Sequence, residues 1–427
     1  MEVAIVGAGW AGMAAAVSVT GAGHHATVFE AARTLGGRAR ALSGTLPVGS
    51  GVTLDNGQHI LIGAYAQTLG LMRQVGVSPE HTLHRLPLTL LFPDGLGLVL
   101  PPWPAPLDAL AGIVRARGWR WRDKLALLRA ATRWQRQGFA CAPALTVATV
   151  CRTLTPRVMA ELIEPLCVAA LNTPAHQASG QVFLRVLGDA LLGRNLGQGA
   201  SARGASNLLL PRTDLGRLFP DAAARWLAQR GSRVVTGQRV QALGTGANGW
   251  QVDGQPFDRV VLACPPGEAA RLVADSGVAA EPWLRHARGL RFEAITTVYA
   301  ASRARLAQPM LTLRSSASAP AQFVFDRGQL GGAAGLLAFV VSASQGDQAT
   351  LERQVLAQGR QQLGLQALQA VQTVVEKRAT FACTPGLRRP ALTIAPGLLA
   401  CGDYIEGPYP ATLEGAVRSA LAAAQRL

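Results

Sequence analysis

The chain has 427 residues, of which 49% are hydrophobic and only 15% are charged. This composition excludes a disordered or fibrous protein and is sufficient for a large core, divided between two domains. The 41 basic and 25 acidic residues give a net charge of +16, which favours an anionic partner surface, either nucleic acid or an acidic membrane. Because the chain has no zinc-ligand spacing and no helix-turn-helix or RNA-stacking motif, we expect neither a metal site nor a nucleic acid partner.

The first thirty residues predict a β-α-β unit that binds a dinucleotide. The short apolar strand Val3 to Val6 is followed by Gly7-Ala8-Gly9-Trp10-Ala11-Gly12, which reads GxGxxG and opens a helix. In this pattern Gly7 permits a tight turn, Gly9 allows backbone to approach a pyrophosphate, and Gly12 lets the helix close on the strand. Glu30 ends the second strand, where a carboxylate binds ribose hydroxyls. The alternative is an ordinary glycine-rich turn with a solvated glutamate, which the strand–turn–helix context disfavours.

Later elements predict one nucleotide-binding domain built from both ends and the middle of the chain. Two glycines and two arginines in 35–40 suit a loop around phosphates, with Arg38 or Arg40 as the countercharge. Residues 63–200 are rich in Leu, Ala and Arg and predict helices. Buried-type strands return near 233, 260 and 398, and an Ala-rich helix ends the chain. Six scattered cysteines without a CxxC pair predict buried thiols of a reducing compartment.

These motifs resemble those of the amine oxidase and phytoene desaturase flavoprotein superfamily. A third motif near the C-terminus, Cys401-Gly402-Asp403 followed by 411–419, matches it as well. The resemblance implies noncovalent FAD, since no attachment cysteine precedes the last motif, with Asp403 on the ribityl chain and the final helix directed at the flavin pyrimidine. It implies the following cofactor-binding residues: Gly7, Gly9, Trp10, Ala11, Gly12, Glu30, Gly37, Arg38, Val240, Asp403, Ala411, Thr412 and Leu413.

The expected fold is therefore α/β, with a Rossmann-like FAD-binding domain whose parallel sheet carries helices on both faces. A discontinuous α+β substrate domain with a mainly helical insertion completes it. The predicted boundaries are 1–62, 205–275 and 385–427 for the FAD-binding domain, and 63–204 and 276–384 for the substrate domain.

Four further segments narrow the resemblance to the squalene-associated FAD-dependent desaturase family, also described as hydroxysqualene dehydroxylases of the HpnE type. These segments are Asp55–Tyr65, Leu171–Pro174, Gln181–Phe183 and Tyr409–Thr412, and the resemblance covers essentially the whole chain. It implies reductive removal of the hydroxyl of hydroxysqualene, an allylic C30 isoprenoid alcohol, to give squalene in hopanoid biosynthesis. Asp403-Tyr404-Ile405 departs from the Asp-Trp-Thr expected there.

This chemistry needs an acid, because hydroxide is a poor leaving group. Asp55 and His59 are the candidates for the proton donor or its positioning network. The alternative is that they anchor the loop against FAD, with Asp55 capping a turn and Gln58 bonded to backbone. Two other functions stay open: a carotenoid or phytoene desaturase, which removes hydride from carbon, and a flavin-binding, membrane-recruited protein without turnover. An amine oxidase is disfavoured because no lysine occurs between Lys124 and Lys377.

Residues 98–140 predict an anionic membrane surface as a partner. From Trp103 to Ala140 the chain carries eight basic residues, including Arg115, Arg117, Arg120, Arg122 and Lys124, and four tryptophans, Trp103, Trp119, Trp121 and Trp134. Interfacial helices pair such cations with indoles, whereas a basic helix that packs its tryptophans into the core is the alternative. With no signal peptide and no spanning segment, we expect a cytoplasmic protein on the inner face of the cell membrane. The sequence does not predict its oligomeric state.

Overall fold

The computed structural model describes residues 1–192, 204–246 and 249–427. Residues 193–203, part of the predicted segment 63–204, and residues 247 and 248 lie outside the described residues. In chain order the strands are β1 (Glu2–Val6), β2 (His25–Glu30), β3 (Ala41–Thr45), β4 (Gly51–Asp55), β5 (Leu61–Ile62), β6 (Leu83–Leu86), β7 (Thr89–Leu91), β8 (Gly97–Val99), β9 (Leu208–Pro211), β10 (Arg233–Thr236), β11 (Leu243–Gly246), β12 (Gly249–Val252), β13 (Gln255–Phe257), β14 (Arg259–Leu262), β15 (Phe292–Ala301), β16 (Met310–Thr312), β17 (Phe323–Asp326), β18 (Leu336–Ser342), β19 (Gln369–Phe381), β20 (Thr393–Ala395) and β21 (Leu398–Ala400).

A π-helical turn at Met159–Ile163 precedes α8, and a 3₁₀ turn at Arg327–Leu330 follows β17. The α-helices are α1 (Trp10–Gly21), α2 (Ala66–Gln74), α3 (Pro79–Thr82), α4 (Leu107–Arg115), α5 (Trp121–Arg136), α6 (Val147–Val150), α7 (Pro156–Val158), α8 (Glu164–Leu171), α9 (Gly180–Leu192), α10 (Leu215–Leu218), α11 (Pro220–Ala228), α12 (Pro266–Asp275), α13 (Glu281–Arg288), α14 (Gln348–Leu363) and α15 (Leu413–Ala424). No helix within the described ranges is both long enough and apolar enough to cross a membrane.

A six-stranded sheet in the order β10-β2-β1-β14-β21-β20 organises the two ends and the middle of the chain. All neighbouring strands are parallel except β20, which runs antiparallel to β21. Side chains alternate along β1, so that Val3 and Ile5 pack with α1, α11 and α15 while Ala4 and Val6 face the other way. Apolar residues on both faces of a strand are typical of a buried parallel sheet.

The α/β class and the Rossmann-like sheet are confirmed, with one addition on the second face. There the antiparallel meander β11–β13 packs against β1 and β14, whereas the sequence analysis expected helices on both faces. Trp250, Val252 and Phe257 of the meander join the same core as Ala4 and Val6. The short strands of the meander alternate apolar and polar residues, which covers a sheet face as well as a helix does.

A second sheet, antiparallel and in the order β16-β17-β18-β15-β19, forms one wall of the substrate region. One face packs against α14 through residues such as Val298 and Phe339, and the opposite face carries Tyr299, Phe323 and Val340. All strands of this sheet fall within the predicted segment 276–384, and all strands of the six-stranded sheet fall within the three predicted FAD-binding segments. The domain boundaries themselves remain a prediction.

The region 63–192 contains helices α2–α9, but β6, β7 and β8 precede the long ones. The helices α7 and α8 continue one another through the π-helical turn, and α5 packs against α7. All six cysteines are free thiols, and all are buried except Cys141, which is half-buried. This agrees with the expectation from their spacing.

Candidate active site

One cavity of about 950 Å³ lies between the two sheets. Its lower part is formed where four parallel strands end, since the residues after β1, β2, β14 and β21 all line it. Ligands of open α/β sheets bind at this carboxyl edge. Its upper part is mainly apolar. It is lined by Ile60, Val168, Ala170, Ile295, Phe323, Phe325 and Val340, with the polar side chains Asn172, Ser342, Glu376, Arg378 and Thr380 among them. The cavity therefore joins a polar half and an apolar half.

The glycine-rich turn forms a cradle in the polar half. Gly7 has φ of +110°, and a Cβ there would lie 2.8 Å from the carbonyl oxygen of Ala263. A Cβ on Gly12 would lie 1.8 Å from the carbonyl oxygen of Gly7, so only glycine lets α1 approach β1 this closely. No side chain caps the N-terminus of α1, which leaves its first N–H groups free to bind an anion.

The Glu30 carboxylate closes the cradle at the end of β2. Its two oxygens accept hydrogen bonds from the backbone N–H groups of Ala8 (2.7 Å) and Ala32 (2.8 Å). These bonds fix the carboxylate at the cavity wall, where each oxygen retains a further lone pair for a ribose hydroxyl.

Arg38 connects the two halves of the cavity. Its guanidinium lies 2.5 Å from an Asp403 carboxylate oxygen and donates to the carbonyl of Ala379 at 2.6 Å, on β19. The guanidinium of Arg40 donates to the carbonyl of Gly37 at 2.9 Å. Both arginines line the cavity, so either of the two predicted phosphate countercharges can contact a ligand. Arg38 already forms an ion pair with Asp403.

The last helix points its N-terminus at the same cavity. Thr412 caps α15, because its hydroxyl accepts from the N–H of Gly415 at 3.0 Å, and Ala411 at φ of +58° turns the chain into the helix. Twelve of the thirteen predicted cofactor-binding residues, Val240 among them, line the cavity. The exception is Gly12, which lies behind the cradle and acts through packing.

Two buried polar atoms of the lining residues lack a hydrogen-bond partner, namely the amide nitrogen of Gln58 and the hydroxyl of Tyr404. An isoalloxazine and ribityl group offers both acceptors and donors to such atoms, so the residues present fit a flavin. Burial raises the pKa of Tyr404 well above its usual value, so its hydroxyl remains a donor. The sequence analysis missed Tyr404 because the segment departs from the expected motif.

Asn172 joins the helical wall of the cavity to the second sheet. It ends α8 with φ of +45°, its amide nitrogen donates to the Thr380 hydroxyl at 2.9 Å, and its amide oxygen accepts from the N–H of Ala343 at 2.6 Å. Asparagine tolerates this left-handed conformation better than most residues. The motif Leu171–Pro174 therefore holds α8, which carries Val168 and Ala170, in place over the cavity.

Asp55 does not line the cavity. Its carboxylate accepts from the N–H of Leu215 at 2.8 Å and lies 3.7 Å from the Arg327 guanidinium, while the Tyr299 hydroxyl bonds its backbone. Burial raises the pKa of Asp55 to about 6, although Arg327 and the bond from Leu215 oppose that shift. This geometry favours the alternative in which Asp55 anchors the loop.

His59, by contrast, is half-buried and lines the cavity. Its Nδ1 lies 2.8 Å from the carbonyl oxygen of Gly57, which assigns the Nδ1–H tautomer and leaves Nε2 as the second ring atom able to bind a proton. Burial lowers the pKa of His59, and the nearby charge of Arg38 acts in the same direction. The imidazole is consequently neutral near pH 7 and a stronger acid once protonated.

The predicted membrane segment forms an exposed surface that we call the basic apolar patch. It consists of Val99, Trp103, Leu107, Leu110, Val114, Trp121 and Leu125 with Arg115, Arg117, Arg120, Arg122 and Lys124. Trp121 is 66% exposed and Leu107 is 56% exposed. The guanidinium of Arg115 lies over the ring of Trp103, and the ammonium of Lys124 lies over that of Trp121. The patch therefore combines apolar side chains and cations on one face.

The four tryptophans of this segment divide equally between surface and core. Trp119 and Trp134 are buried, and the indole N–H of Trp119 donates to Glu161 at 2.8 Å. The acidic residues Asp108 and Asp123 are also buried, where they bond backbone N–H groups at the starts of α4 and α5. Each of the two sequence alternatives thus describes half of the indoles. Of the two aspartates, Asp123 opposes one cation of the patch, since its carboxylate lies 3.9 Å from the Arg122 guanidinium.

Comparisons with known proteins agree with this geometry. Residues 10–427 match the family described as flavin containing amine oxidoreductase. The chain belongs to this family. The predicted flavin-dependent oxidoreductase is thereby confirmed.

Among curated relatives, the chain is 28% identical to a hydroxysqualene dehydroxylase of Rhodopseudomonas palustris, covering 97% of this chain and 95% of that protein. It is 26% identical to a hydroxysqualene dehydroxylase of Zymomonas mobilis, covering 98% and 97%. The predicted resemblance to the HpnE-type family is confirmed by these matches. A zeta-carotene desaturase of Synechocystis is 40% identical, but over only 19% of this chain and 17% of that protein.

Among solved structures, an oxidoreductase from Methanosarcina mazei superposes with a TM-score of 0.72 at 15% identity and covers 99% of both chains. At this identity the match shows that the two proteins share an overall fold.

Proposed function

We propose that this flavin oxidoreductase is a hydroxysqualene dehydroxylase, which converts an allylic C30 isoprenoid alcohol to squalene with noncovalent FAD. The supporting observation is the single cavity in which the phosphate cradle and an apolar chamber meet. Such a chamber suits a long hydrocarbon, because an apolar pocket binds a ligand by burying its apolar surface. The few polar groups of the pocket then fix the orientation of the ligand. The similarity to two hydroxysqualene dehydroxylases over nearly the whole chain supports the same substrate.

FAD fits the polar half of the cavity. The α1 N-terminus and Gly9 would hold the pyrophosphate, Glu30 the ribose, and Asp403 the ribityl chain. Of the cysteines, Cys264 lines the cavity, and burial raises its pKa to about 12, so it remains a thiol and not a nucleophilic thiolate. This supports noncovalent binding.

The reaction exchanges a hydroxyl for a hydrogen at an allylic carbon. The C–O bond breaks with both electrons on oxygen, the oxygen takes a proton and leaves as water, and the carbon becomes an allylic cation. When bound and reduced, the flavin supplies a hydride to that carbon and is oxidised by two electrons. The protein's part is to bind the chain, exclude water and provide the proton.

His59 is the proposed proton donor. It lines the cavity, its ring is fixed by Gly57, and Nε2 can carry the proton to the leaving hydroxyl. Asp55 is assigned to positioning, because its carboxylate bonds Leu215 and faces Arg327. Single-turnover reoxidation of reduced His59→Ala and Asp55→Asn enzymes tests this assignment: the first loses the chemical step, and the second retains it. Equal rates in the His59 variant and wild type would exclude the donor.

Incubation of the FAD-loaded protein with hydroxysqualene and a flavin reductant, without oxygen, tests the proposed function. Squalene is the expected product. A dehydrogenated polyene would instead identify a carotenoid-type desaturase, the function favoured by the short match to the zeta-carotene desaturase. Recovery of unchanged hydroxysqualene would favour a flavin-binding protein without turnover.

The basic apolar patch would attach the protein to the cytoplasmic face of the cell membrane, from which a nearly insoluble substrate must come. Exposed indoles enter the interface while arginines bind anionic headgroups. Vesicles with anionic lipid should bind the protein, and neutral vesicles should bind it weakly.

Two quadruple glutamine variants test the patch. Replacing Arg115, Arg117, Arg120 and Arg122 should abolish the preference for anionic vesicles, whereas replacing the exposed Arg217, Arg225, Arg285 and Arg288 should not. Equal binding by both variants and wild type would exclude the patch as the contact.

A further inference from the structure

Among the described residues of the second sheet, Glu376 is the acidic one that lines the cavity. It lies on β19 opposite Ile295 of β15, and both residues line the cavity. A register shift follows on the same pair of strands, between Glu293 and Ile295, where β19 has more residues than its partner. Glu376, Arg378 and Thr380 share the cavity face by ordinary strand alternation, and the bulge lets the out-of-phase Ala379 line the cavity as well.

Hydrogen bonds fix the Glu376 carboxylate at the cavity wall. One oxygen accepts from the side-chain amide of Asn56 at 2.9 Å, and the other accepts from the N–H of Arg378 at 3.3 Å. Asn56 is itself fixed, since its amide nitrogen also donates to the carbonyl of Arg38 at 3.2 Å.

Among the described residues Glu376 forms no close ion pair, and the positive charge of Arg38 acts on it only at longer range. No ion pair within 4.0 Å involves it, and the nearby Arg38 is paired with Asp403. The other acidic residues that line the cavity are Glu30, which accepts from two backbone N–H groups, Glu268, which pairs with Arg271, and Asp403. Half-buried Glu376 therefore presents a hydrogen-bonded carboxylate at the cavity wall, opposite the apolar side chain of Ile295, where a cationic group of a ligand can approach it.

We propose that Glu376 is the carboxylate that stabilises the allylic cation. This inference rests on the proposed function, in which the C–O bond breaks before the hydride arrives. Positive charge that develops beside Ile295, in an apolar chamber, interacts strongly with a fixed negative charge because little water screens it. Glu376 forms no bond and transfers no proton in this role; His59 protonates the leaving oxygen, and the carboxylate remains ionised throughout.

Binding of two unreactive ligands to the FAD-loaded protein tests Glu376 without measuring turnover. One ligand is squalene, and the other is a secondary-amine analogue in which an ammonium nitrogen replaces the carbon that bore the hydroxyl and the adjacent double bond is saturated. Wild type should bind the ammonium analogue about tenfold more tightly, which corresponds to about 1.4 kcal/mol. Glu376→Gln should bind both ligands equally, and Glu376→Asp, which keeps the charge, should retain most of the preference.

The matched control is Glu352→Gln, because Glu352 accepts from Thr373 of the same strand but does not line the cavity. It should keep the full preference. The proposal would be overturned if Glu376→Gln kept the preference for the ammonium analogue, or if wild type showed no such preference. The second outcome can be measured even if the variant does not fold. Formation of squalene by wild type is scored separately, so failure of the Glu376 proposal is distinguishable from failure of the proposed function.

Discussion

The buried carboxylate of Asp55 should make the stability of the protein fall as the pH rises from 4 to 7. Burial raises its pKa from 3.8 to about 6 in the folded state. The folded protein therefore binds this proton more tightly than the unfolded chain. The stabilisation is fully present below the unfolded pKa and is lost as the pH rises through the folded value. A shift of roughly two pKa units corresponds to about 3 kcal/mol.

Asp55→Asn isolates this contribution because asparagine does not titrate and can still accept from Leu215. Below its folded pKa the Asp55 carboxyl is protonated and neutral, so any deficit of the variant at low pH comes from replacing the carboxyl O–H with an amide beside Arg327 and not from a lost charge. The decisive quantity is how that deficit changes with pH. We expect it to shrink by about 2 kcal/mol between pH 4 and pH 7, since wild type loses stability over this range and the variant does not.

Urea unfolding of the FAD-loaded proteins at a series of pH values measures the deficit. Glu281→Gln, at an exposed position, is the control and should show a constant difference from wild type. A deficit for Asp55→Asn that stays constant, or that grows as the pH rises, would refute the reasoning. Growth in particular would mean that the ion pair with Arg327 outweighs the cost of burial.

Three further outcomes follow from the site. Gly12→Ala should abolish FAD binding or folding, measured by flavin absorbance of the purified protein, because the added Cβ would lie 1.8 Å from the carbonyl oxygen of Gly7. Glu30→Gln should weaken FAD binding about tenfold in a fluorescence titration, since it removes the charge that accepts from ribose and turns one acceptor oxygen into a donor. Asn172→Ala should lower the free energy of unfolding by about 1–3 kcal/mol, measured in urea, because the N–H of Ala343 loses its acceptor, whereas Asn172→Asp keeps that acceptor and should cost less.

The dinucleotide cradle could be predicted because its chemistry is local in sequence. The spacing of Gly7, Gly9 and Gly12 encodes a turn in which a Cβ would collide with backbone, and Glu30 follows at the end of the next strand. The apolar strands and the terminal helix likewise have short-range patterns. These features depend on few distant contacts, and the structure has them where the sequence indicated.

The roles of Asp55, His59 and Glu376 could not be predicted from the sequence. Asp55 and His59 lie four residues apart in one motif, yet one faces Arg327 and the other faces the cavity. The direction of Asp55 depends on contacts with residues more than 150 positions away. Glu376 reaches the cavity next to a bulge in β19, and the surrounding sequence has no glycine or proline that indicates one.

The division of the tryptophans, in contrast, was open to a closer reading of helical periodicity. Trp121 and Trp134 lie thirteen residues apart on α5, which places them on different faces of a helix with 3.6 residues per turn. Trp134 lies on the same helix face as the buried Leu127 and Ala130, which precede it by seven and four residues. Trp121 lies on the same face as the exposed Leu125, which follows it by four residues. A count of cations and indoles within a segment ignores which helix face each residue occupies. It therefore overestimates how many indoles are exposed.

The acidic residues of this basic protein are distributed in a way that serves both proposed surfaces. In the basic apolar patch, Asp108 and Asp123 are buried at helix starts, and of the patch cations only Arg122 has an ion pair with one of them, Asp123. In the cavity, Arg38 is paired with Asp403, and Glu376 forms no ion pair within 4.0 Å among the described residues. An anionic bilayer is attracted to the first arrangement and an allylic cation to the second. Exchanging the two, with free carboxylates outside and free guanidinium groups inside, would repel both, and the net charge of +16 would be unchanged.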